Sequence, residues 1–476
     1  MMQTPSRSWT LSALLALSVS AVALTGGDQS TPTGSAGKQA WLRQASGSAV
    51  TLAEPLARDR KARPRPAYAT DHVVVKFEPD VRLRQARGIA GEAGGTRLTR
   101  ARYGDFHYLA IPAGEDPVAA AARLRREPGV LYAEPDPIVR ASWRPNDSFY
   151  NLQWNFEKIN MERAWDINRG GSSKVTVAIL DTGVAYLTQG AFAQAPDLAS
   201  TRFVAGYDFI WADDQPVDTD GHGTHIAGTI AQVTDNQAGA AGMAFNVGIM
   251  PVKVLDTEWD EQNGAPFTAT LSVVAQGVRW AADHGAKVIN MSLGADSGSS
   301  TLENALRHAV GQGAFVAIAA GNTGDDDNSA EWPASYAKSI EGVMSVAAVD
   351  YNLQRAPYST HRDYVEIAAP GGDNRADVNS DTRPDGILQQ SFDPDFQEQG
   401  IFNRFAYMFY QGTSMSTAHV SSLAALLMDQ GVTAPAAVEA AVKRFAAQTP
   451  AGGRNDDIGY GVIDPRATLF GLGLAR

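Results

Sequence analysis

Apolar positions along this chain fall into three regimes, and each predicts a different kind of element. Residues 9–24 form an almost unbroken apolar run behind Arg7, and Ala21-Val22-Ala23 offers a small-residue cleavage site. A run that short, with a positive charge before it, reads as a secretory signal peptide over residues 1–25 and not as a membrane span. Gly27 stands where a lipidated cysteine would have to be, so no membrane anchor is expected. Residues 26–69 are rich in Ser, Gly, Pro, Ala and Arg and predict a flexible linker.

The second regime spans residues 70–141. β-rich runs at 72–77, 106–111 and 129–134 read as strands, and 117–126 reads as a helix with Pro117 in its first turn. This is the pattern of a small α+β unit. About 70 residues is near the lower limit for independent stability, so the unit is expected to lean on another surface.

The third regime runs from 145 to 476. Continuous apolar runs at 175–180, 247–252, 287–292 and 314–320 alternate with helical spacing at 226–233, 271–284 and 302–312. Strands without polar alternation, separated by helices, predict an α/β fold: a mostly parallel sheet covered on both faces. The polar stretch 371–385 reads as an inserted loop. A last apolar run, 405–410, leads into Gly412-Thr413-Ser414-Met415-Ser416 and a helix at 420–428.

Composition changes this picture in two ways. The chain has no cysteine, which removes disulfides, thiolate catalysis and zinc–thiolate sites. Its net charge is −12, but residues 54–144 carry 17 Lys/Arg against 12 Asp/Glu, so the part from 145 onward is strongly acidic. An acidic body argues against nucleic acid as a partner, and it makes the basic segment a plausible intramolecular one.

The candidate chemistry sits at strand ends, where an open α/β sheet carries its functional groups. Asp181 ends the run 175–180 and precedes Thr182-Gly183. Gly221-His222-Gly223-Thr224-His225 opens a small-residue helix. Ala319-Ala320-Gly321-Asn322 closes another apolar run. Each has an ordinary reading alone: a turn aspartate, a packed histidine, a turn asparagine and a helix-capping serine at Ser414. Together they supply what a nucleophilic serine needs. A hydroxyl attacks well only if a base removes its proton. Histidine is the base whose pKa lies nearest working pH, a carboxylate can orient it, and an amide can donate to the oxyanion. His225 is expected to pack inside its helix interface. A zinc reading of the two histidines lacks a third ligand at the right spacing.

At these four motifs the chain resembles the subtilisin-like serine proteases, the subtilases. Asp-Thr-Gly, His-Gly-Thr-His, Ala-Ala-Gly-Asn and Gly-Thr-Ser-Met occur in that family's order and rough spacing, over about residues 145–476. The resemblance implies a subtilisin-like three-layer fold and a secreted, monomeric serine endopeptidase acting on protein or peptide substrates. It implies Asp181 as orienting carboxylate, His222 as general base and then acid, and Ser414 as the nucleophile that forms an acyl-enzyme. Asn322 and the Ser414 backbone N–H would form the oxyanion hole. Ser292-Leu293-Gly294 resembles the strand that pairs with the substrate backbone.

The 70–141 unit, ending in Val130-Leu131-Tyr132-Ala133-Glu134-Pro135-Asp136, resembles the family's inhibitory propeptide, which implies a self-processing precursor. Asp377, Asn379, Asp381 and Asp385 resemble a calcium loop with oxygens at positions one, three, five and nine. Thr382 replaces the usual Gly there, Leu388 stands where a closing Glu would, and a solvated acidic loop is the other reading. Two departures lie after the nucleophile: Ala418 for the family's usual Pro, and Ser422 for its Gly or Ala. A non-catalytic relative would be expected to lack one of the four site residues, and all four are present. A lipase or esterase would need Gly-x-Ser-x-Gly and the order Ser, Asp, His, whereas the order here is Asp, His, Ser.

Overall fold

The computed structural model describes residues 68–138 and 143–472, so the expected signal peptide and nearly all of the linker lie outside the described residues. The chain divides at residue 143 into two compact units.

The smaller unit is a four-stranded antiparallel sheet in the order Arg97–Arg100, His107–Ala110, Tyr68–Phe77, Val130–Pro137. Two helices, Leu83–Glu92 and Pro117–Leu124, complete it. Asp116 caps the second helix by accepting from the Val118 N–H at 3.1 Å, and Pro117 follows where no N–H is needed. Val73, Val75, Ala90, Leu109, Ala121 and Leu124 form its core. The expected strands and helix are present. The helix Leu83–Glu92 and the edge strand Arg97–Arg100 are additional. Both are mostly exposed and arginine-rich, so they carry little apolar pattern to read.

The larger unit has an eight-stranded sheet. Its order is Ile367–Pro370, Val343–Val349, Phe315–Ala319, Val288–Met291, Thr176–Asp181, Gly248–Lys253, with Arg202–Phe203 and Tyr207–Asp208 both on the last of these. Every pairing is parallel. The central strands are buried along their whole length, as their unbroken apolar sequences require. Val343–Val349 and Ile367–Pro370 extend the sheet beyond the strands expected from sequence. A separate hairpin pairs Ile387–Phe392 with Phe405–Tyr410.

Two helices begin earlier than their apolar spacing indicates. One runs His222–Ala231, so the histidine is its first residue. The other runs Thr413–Asp429, so Ser414 lies in its first turn. That second helix is buried on all sides up to Met428, and packs against five strands and against the helix His222–Ala231. Ser422 causes no crowding: its hydroxyl folds back to donate to the Ala418 carbonyl at 2.7 Å. Among the described residues no helix is long and apolar enough to cross a membrane.

Candidate functional site

Asp181 leaves the end of its strand and meets the imidazole at the start of the helix His222–Ala231. His222 Nδ1 lies 2.7 Å from Asp181 Oδ1, and both side chains are essentially inaccessible to water. Two glycines make that approach possible. A Cβ on Gly223 would lie 2.0 Å from the Gly183 carbonyl oxygen, and Gly183 has φ +103°. Only residues without a side chain let the strand end and the helix start touch. This explains why glycine follows both Asp181-Thr182 and His222.

Asp218 holds the same junction from behind. Its carboxylate accepts from the N–H groups of Asp220, Gly221 and Thr224 and from the hydroxyls of Thr182 and Thr224. It thereby satisfies donors at the helix N-terminus that have no intrahelical partner. The Thr182 hydroxyl in turn accepts from the Gly223 N–H. Asp218 was not singled out from the sequence. Its signal was an acid a few residues before a helix start, the position where a carboxylate is most useful.

Burial works against a charged imidazole at His222, but the Asp181 carboxylate outweighs it, helped by Asp220 and Asp218, and raises the pKa to about 9. The other two buried histidines behave oppositely. Burial pushes His225 down to about 3 and His419 down to about 4. His225 stacks on Tyr410, and its Nε2 donates to the Ile387 and Met408 carbonyls, so it packs as expected.

Ser414 stands beside the segment Ser292-Leu293-Gly294. Its Oγ makes a long 3.5 Å contact to the Ser292 carbonyl, and the Ser292 hydroxyl donates to the Ser414 carbonyl at 3.1 Å. Asn322 Oδ1 accepts from both the N–H and the hydroxyl of Thr413, each at 3.0 Å. A backbone N–H can only donate, so this fixes the amide orientation and leaves the Asn322 NH₂ on the other side. The Ser414 N–H, in the first helical turn, has no hydrogen-bond partner among the described residues. Leu293 and Gly294 lie past the end of their strand and take no backbone partner among the described residues. Ser292, Leu293, Gly294, Asn322 and Ser414 all line one cavity of about 360 Å³. A larger one of about 530 Å³ is lined by Trp332, Tyr336 and Arg362 and touches none of the four motif side chains.

The acidic loop closes on itself. Asp377 accepts from the N–H groups of Asp381 and Thr382, Asp381 accepts from Arg383, and Asn379 donates to Asp381. Asp377, Asn379 and Asp381 are exposed and Asp385 is buried. Among the described residues no three acidic or histidine side chains converge as a metal site. A second acidic feature was not read from sequence: Asp147 and Asp197 are both buried and repel each other. Burial, with that repulsion, raises Asp147 to about 6, and its Oδ1 has no partner.

A buried acid–histidine pair at one strand end, with a serine at a helix start of the same parallel α/β unit, is consistent with a serine hydrolase. Residues 172–461 match the model of the subtilase family, and residues 57–136 match the fervidolysin N-terminal prodomain. The thermophilic serine proteinase of Bacillus sp. strain AK1 is 36% identical over 77% of this chain and 79% of its own. Thermitase of Thermoactinomyces vulgaris is 35% identical over 64% of this chain and 92% of its own. A protease structure from Pseudoalteromonas arctica superposes with a TM-score of 0.56 at 31% identity, covering 68% of this chain and 98% of that one. The chain belongs to the subtilase family, and is a serine endopeptidase with an N-terminal prodomain.

The His222 ring is expected to titrate well above its ordinary value of 6.5, near 9, in an NMR titration of the Ser414→Ala protein. Asp181→Asn should bring it down, because the carboxylate is what overcomes burial. A wild-type value at or below 6.5, or no change in the variant, would remove the proposed electrostatic coupling.

Proposed function

We propose that Ser414 attacks the scissile carbonyl while His222 takes its proton and then returns it to the leaving amine. Asp181 fixes the imidazole tautomer and stabilises the imidazolium that forms. The Asn322 NH₂ and the Ser414 N–H stabilise the oxyanion, and the substrate backbone pairs with Ser292-Leu293-Gly294 as an added strand. The observation that carries this reading is the buried 2.7 Å contact between Asp181 and His222. The free first-turn N–H of Ser414 and the amide orientation of Asn322 support it. The Ser414 hydroxyl turns from Ser292 toward the base when substrate binds, since apo hydrogen bonds of this kind are commonly unmade.

The chain is made as a secreted precursor on this reading. Residues 1–25 direct export, and residues 70–141 act as the inhibitory propeptide. The cut falls between about residues 138 and 146, made by the enzyme's own serine. The basic balance of 54–144 against the acidic remainder favours that association.

Calcium bound at the loop of Asp377, Asn379, Asp381 and Asp385 would stabilise the mature enzyme by drawing together side chains that do not converge in its absence. Asp385 supports this: its Oδ1 is buried without a partner. Burial raises its pKa, and Asp377 and Asp381 add like charge that a cation would relieve.

Ser414→Ala is expected to abolish proteolysis, by on the order of 10⁴–10⁶ in turnover, and to leave the precursor uncut. That magnitude is the one known for subtilisin, a relative, and does not come from the present geometry. Normal maturation in a protease-free host would overturn the assignment. Asn322→Ala should bind substrate but lose roughly 10²–10³ in kcat; an unchanged kcat would take Asn322 out of the oxyanion hole. Calcium at a hundredfold excess over its Kd should stabilise by about 2.7 kcal/mol, measured by thermal unfolding in the Ser414→Ala background. Adding Asp377→Ala and Asp381→Ala should remove most of that gain. An equal gain in that protein would move the ion elsewhere, the buried Asp147 and Asp197 being the next place to test.

A further inference from the structure

The cavity beside Ser414 contains a carboxylate that the four motifs do not include. Glu331 is half-buried, and its two oxygens reach from one wall to the other. A Cβ on Gly294 would lie 2.2 Å from Glu331 Oε2, and a Cβ on Gly321 would lie 2.2 Å from Oε1. The carboxylate therefore occupies a slot that only two glycines leave open, one on the Ser292-Leu293-Gly294 segment and one just before Asn322. It is held there from several sides. Oε1 accepts from the Asn322 N–H at 3.1 Å, and the Glu331 N–H donates to the Tyr364 hydroxyl at 3.0 Å. The adjacent Trp332 backbone pairs with Ala295, at 2.7 and 2.9 Å. Oε2 has no hydrogen-bond partner among the described residues.

The surroundings of this carboxylate are one-signed. Asp296 and Asp327 also line the cavity, and no Lys, Arg or His does. An apolar side chain entering here would strip water from Glu331 without replacing its hydrogen bonds, which is costly. An ammonium or guanidinium would supply the missing donor and the missing charge together.

We infer that Glu331 sets the substrate class of this enzyme: the cleft selects peptide bonds that follow lysine or arginine, whose cationic end pairs with the Glu331 carboxylate. The inference rests on the endopeptidase reading above and adds to it the identity of the P1 residue, on the acyl side of the scissile bond. Asp296 and Asp327 strengthen the field but lie away from the glycine slot, so Glu331 is the contact that discriminates.

Proton binding supplies a second signature. Burial raises the Glu331 carboxyl to about 7, with Asp296 pushing the same way and the Asn322 N–H opposing them. The groups facing it are Asp296, Asp327 and the Tyr364 hydroxyl, and none of them is a cation. The carboxylate that a cationic side chain requires thus forms as pH rises through about 7. Titration of His222 affects all substrates alike and cancels in a ratio of two substrates.

The test compares kcat/KM for peptides identical except at P1, carrying Lys, Arg, Met, Leu, Phe or Ala, with mature enzyme counted by fluorophosphonate labelling. Lys and Arg should exceed Met by about 10- to 100-fold at pH 8.5, the range of a charged hydrogen bond. The Lys/Met ratio should fall several-fold between pH 8.5 and pH 6. Glu331→Gln should bring the ratio to within about threefold and flatten its pH dependence. If that variant does not fold, the wild-type ratio and its pH dependence decide alone. Preference for Leu, Phe or Ala in the wild type, or a Lys/Met ratio unchanged in Glu331→Gln, would overturn the inference while labelling and casein hydrolysis leave the endopeptidase reading standing. Absence of labelling at Ser414 would remove both.

Discussion

Asp181 and His222 meet at 2.7 Å where neither side chain reaches water. Taking a carboxylate and an imidazole out of solvent is expensive, and their mutual attraction recovers that cost only when geometry and remaining hydrogen bonds are well satisfied. Such a pair is a poor source of stability. The surrounding structure is arranged to impose it. The strand Thr176–Asp181 is buried between parallel neighbours, so its end is fixed. The helix His222–Ala231 starts against that end because Gly183 and Gly223 allow contact at backbone distance. Asp218 then binds the helix N-terminus and Thr182 at once, tying both partners to one carboxylate. The other oxygen of Asp181, Oδ2, has no hydrogen-bond partner among the described residues, so His222 is the ring that its charge meets through Oδ1.

The sequence made this chemistry legible for a local reason. Each reacting group is flanked by residues that its backbone geometry demands, and glycine beside Asp181-Thr182 and His222 is such a demand. The parallel sheet was legible because strands buried on both faces cannot alternate. What escaped was decided by tertiary contact. Nothing in Ile226–Ala231 indicates that the helix starts at His222, since the start is set by Asp218 and Gly221 and not by apolar spacing. Thr413 and Ser414 are likewise helical because Asn322, about ninety residues earlier, accepts from the Thr413 N–H. Ile367–Pro370 is short, small-residue and ends in proline, so it shows weak strand character until Val343–Val349 pairs with it; Val343–Val349 itself is an apolar run with three valines that was not read as a strand. Glu331 was not singled out from the sequence, because its setting comes from Gly294 and Gly321, which only the fold brings to either side of it.

Without cysteine, the loops of the larger unit are tied by buried polar contacts. Asp197 accepts from the Ala240 N–H and the Tyr407 hydroxyl, and its own N–H donates to Gln390. One residue thus gathers, through its carboxylate and its own N–H, the loop after the helix His222–Ala231 and both strands of the hairpin. Lys253, wholly buried, donates to the Thr182 carbonyl and pairs with Asp260 at 2.8 Å. Removing one partner from contacts of this kind leaves an unsatisfied charge in the interior, so each is costly to break even where its net contribution to stability is small. They act as clamps on geometry, and several of them end within a residue or two of the site.

Ser414, the proposed nucleophile, and Ser292-Leu293-Gly294, the proposed substrate-pairing segment, are joined in the same way. The Ser292 hydroxyl donates to the Ser414 carbonyl and accepts from Asn290, and Asn290 accepts in turn from Ser421, two turns further along the helix of Ser414. The segment that would align the peptide backbone and the helix that carries the attacking oxygen are therefore one hydrogen-bonded body. Asn322 joins that body through Thr413, and Glu331 joins it through the Asn322 N–H. Attack needs the carbonyl held to within a few tenths of an ångström of the reacting oxygen and the oxyanion donors. A chain of short polar contacts between rigid elements achieves this without a lid. It also makes Glu331 and Asn322, the proposed P1 contact and the proposed oxyanion donor, direct neighbours. On the proposed reading, a side chain that engages Glu331 loads the peptide group that positions Asn322, so a choice made at the pocket would be transmitted to the oxyanion hole through one peptide group.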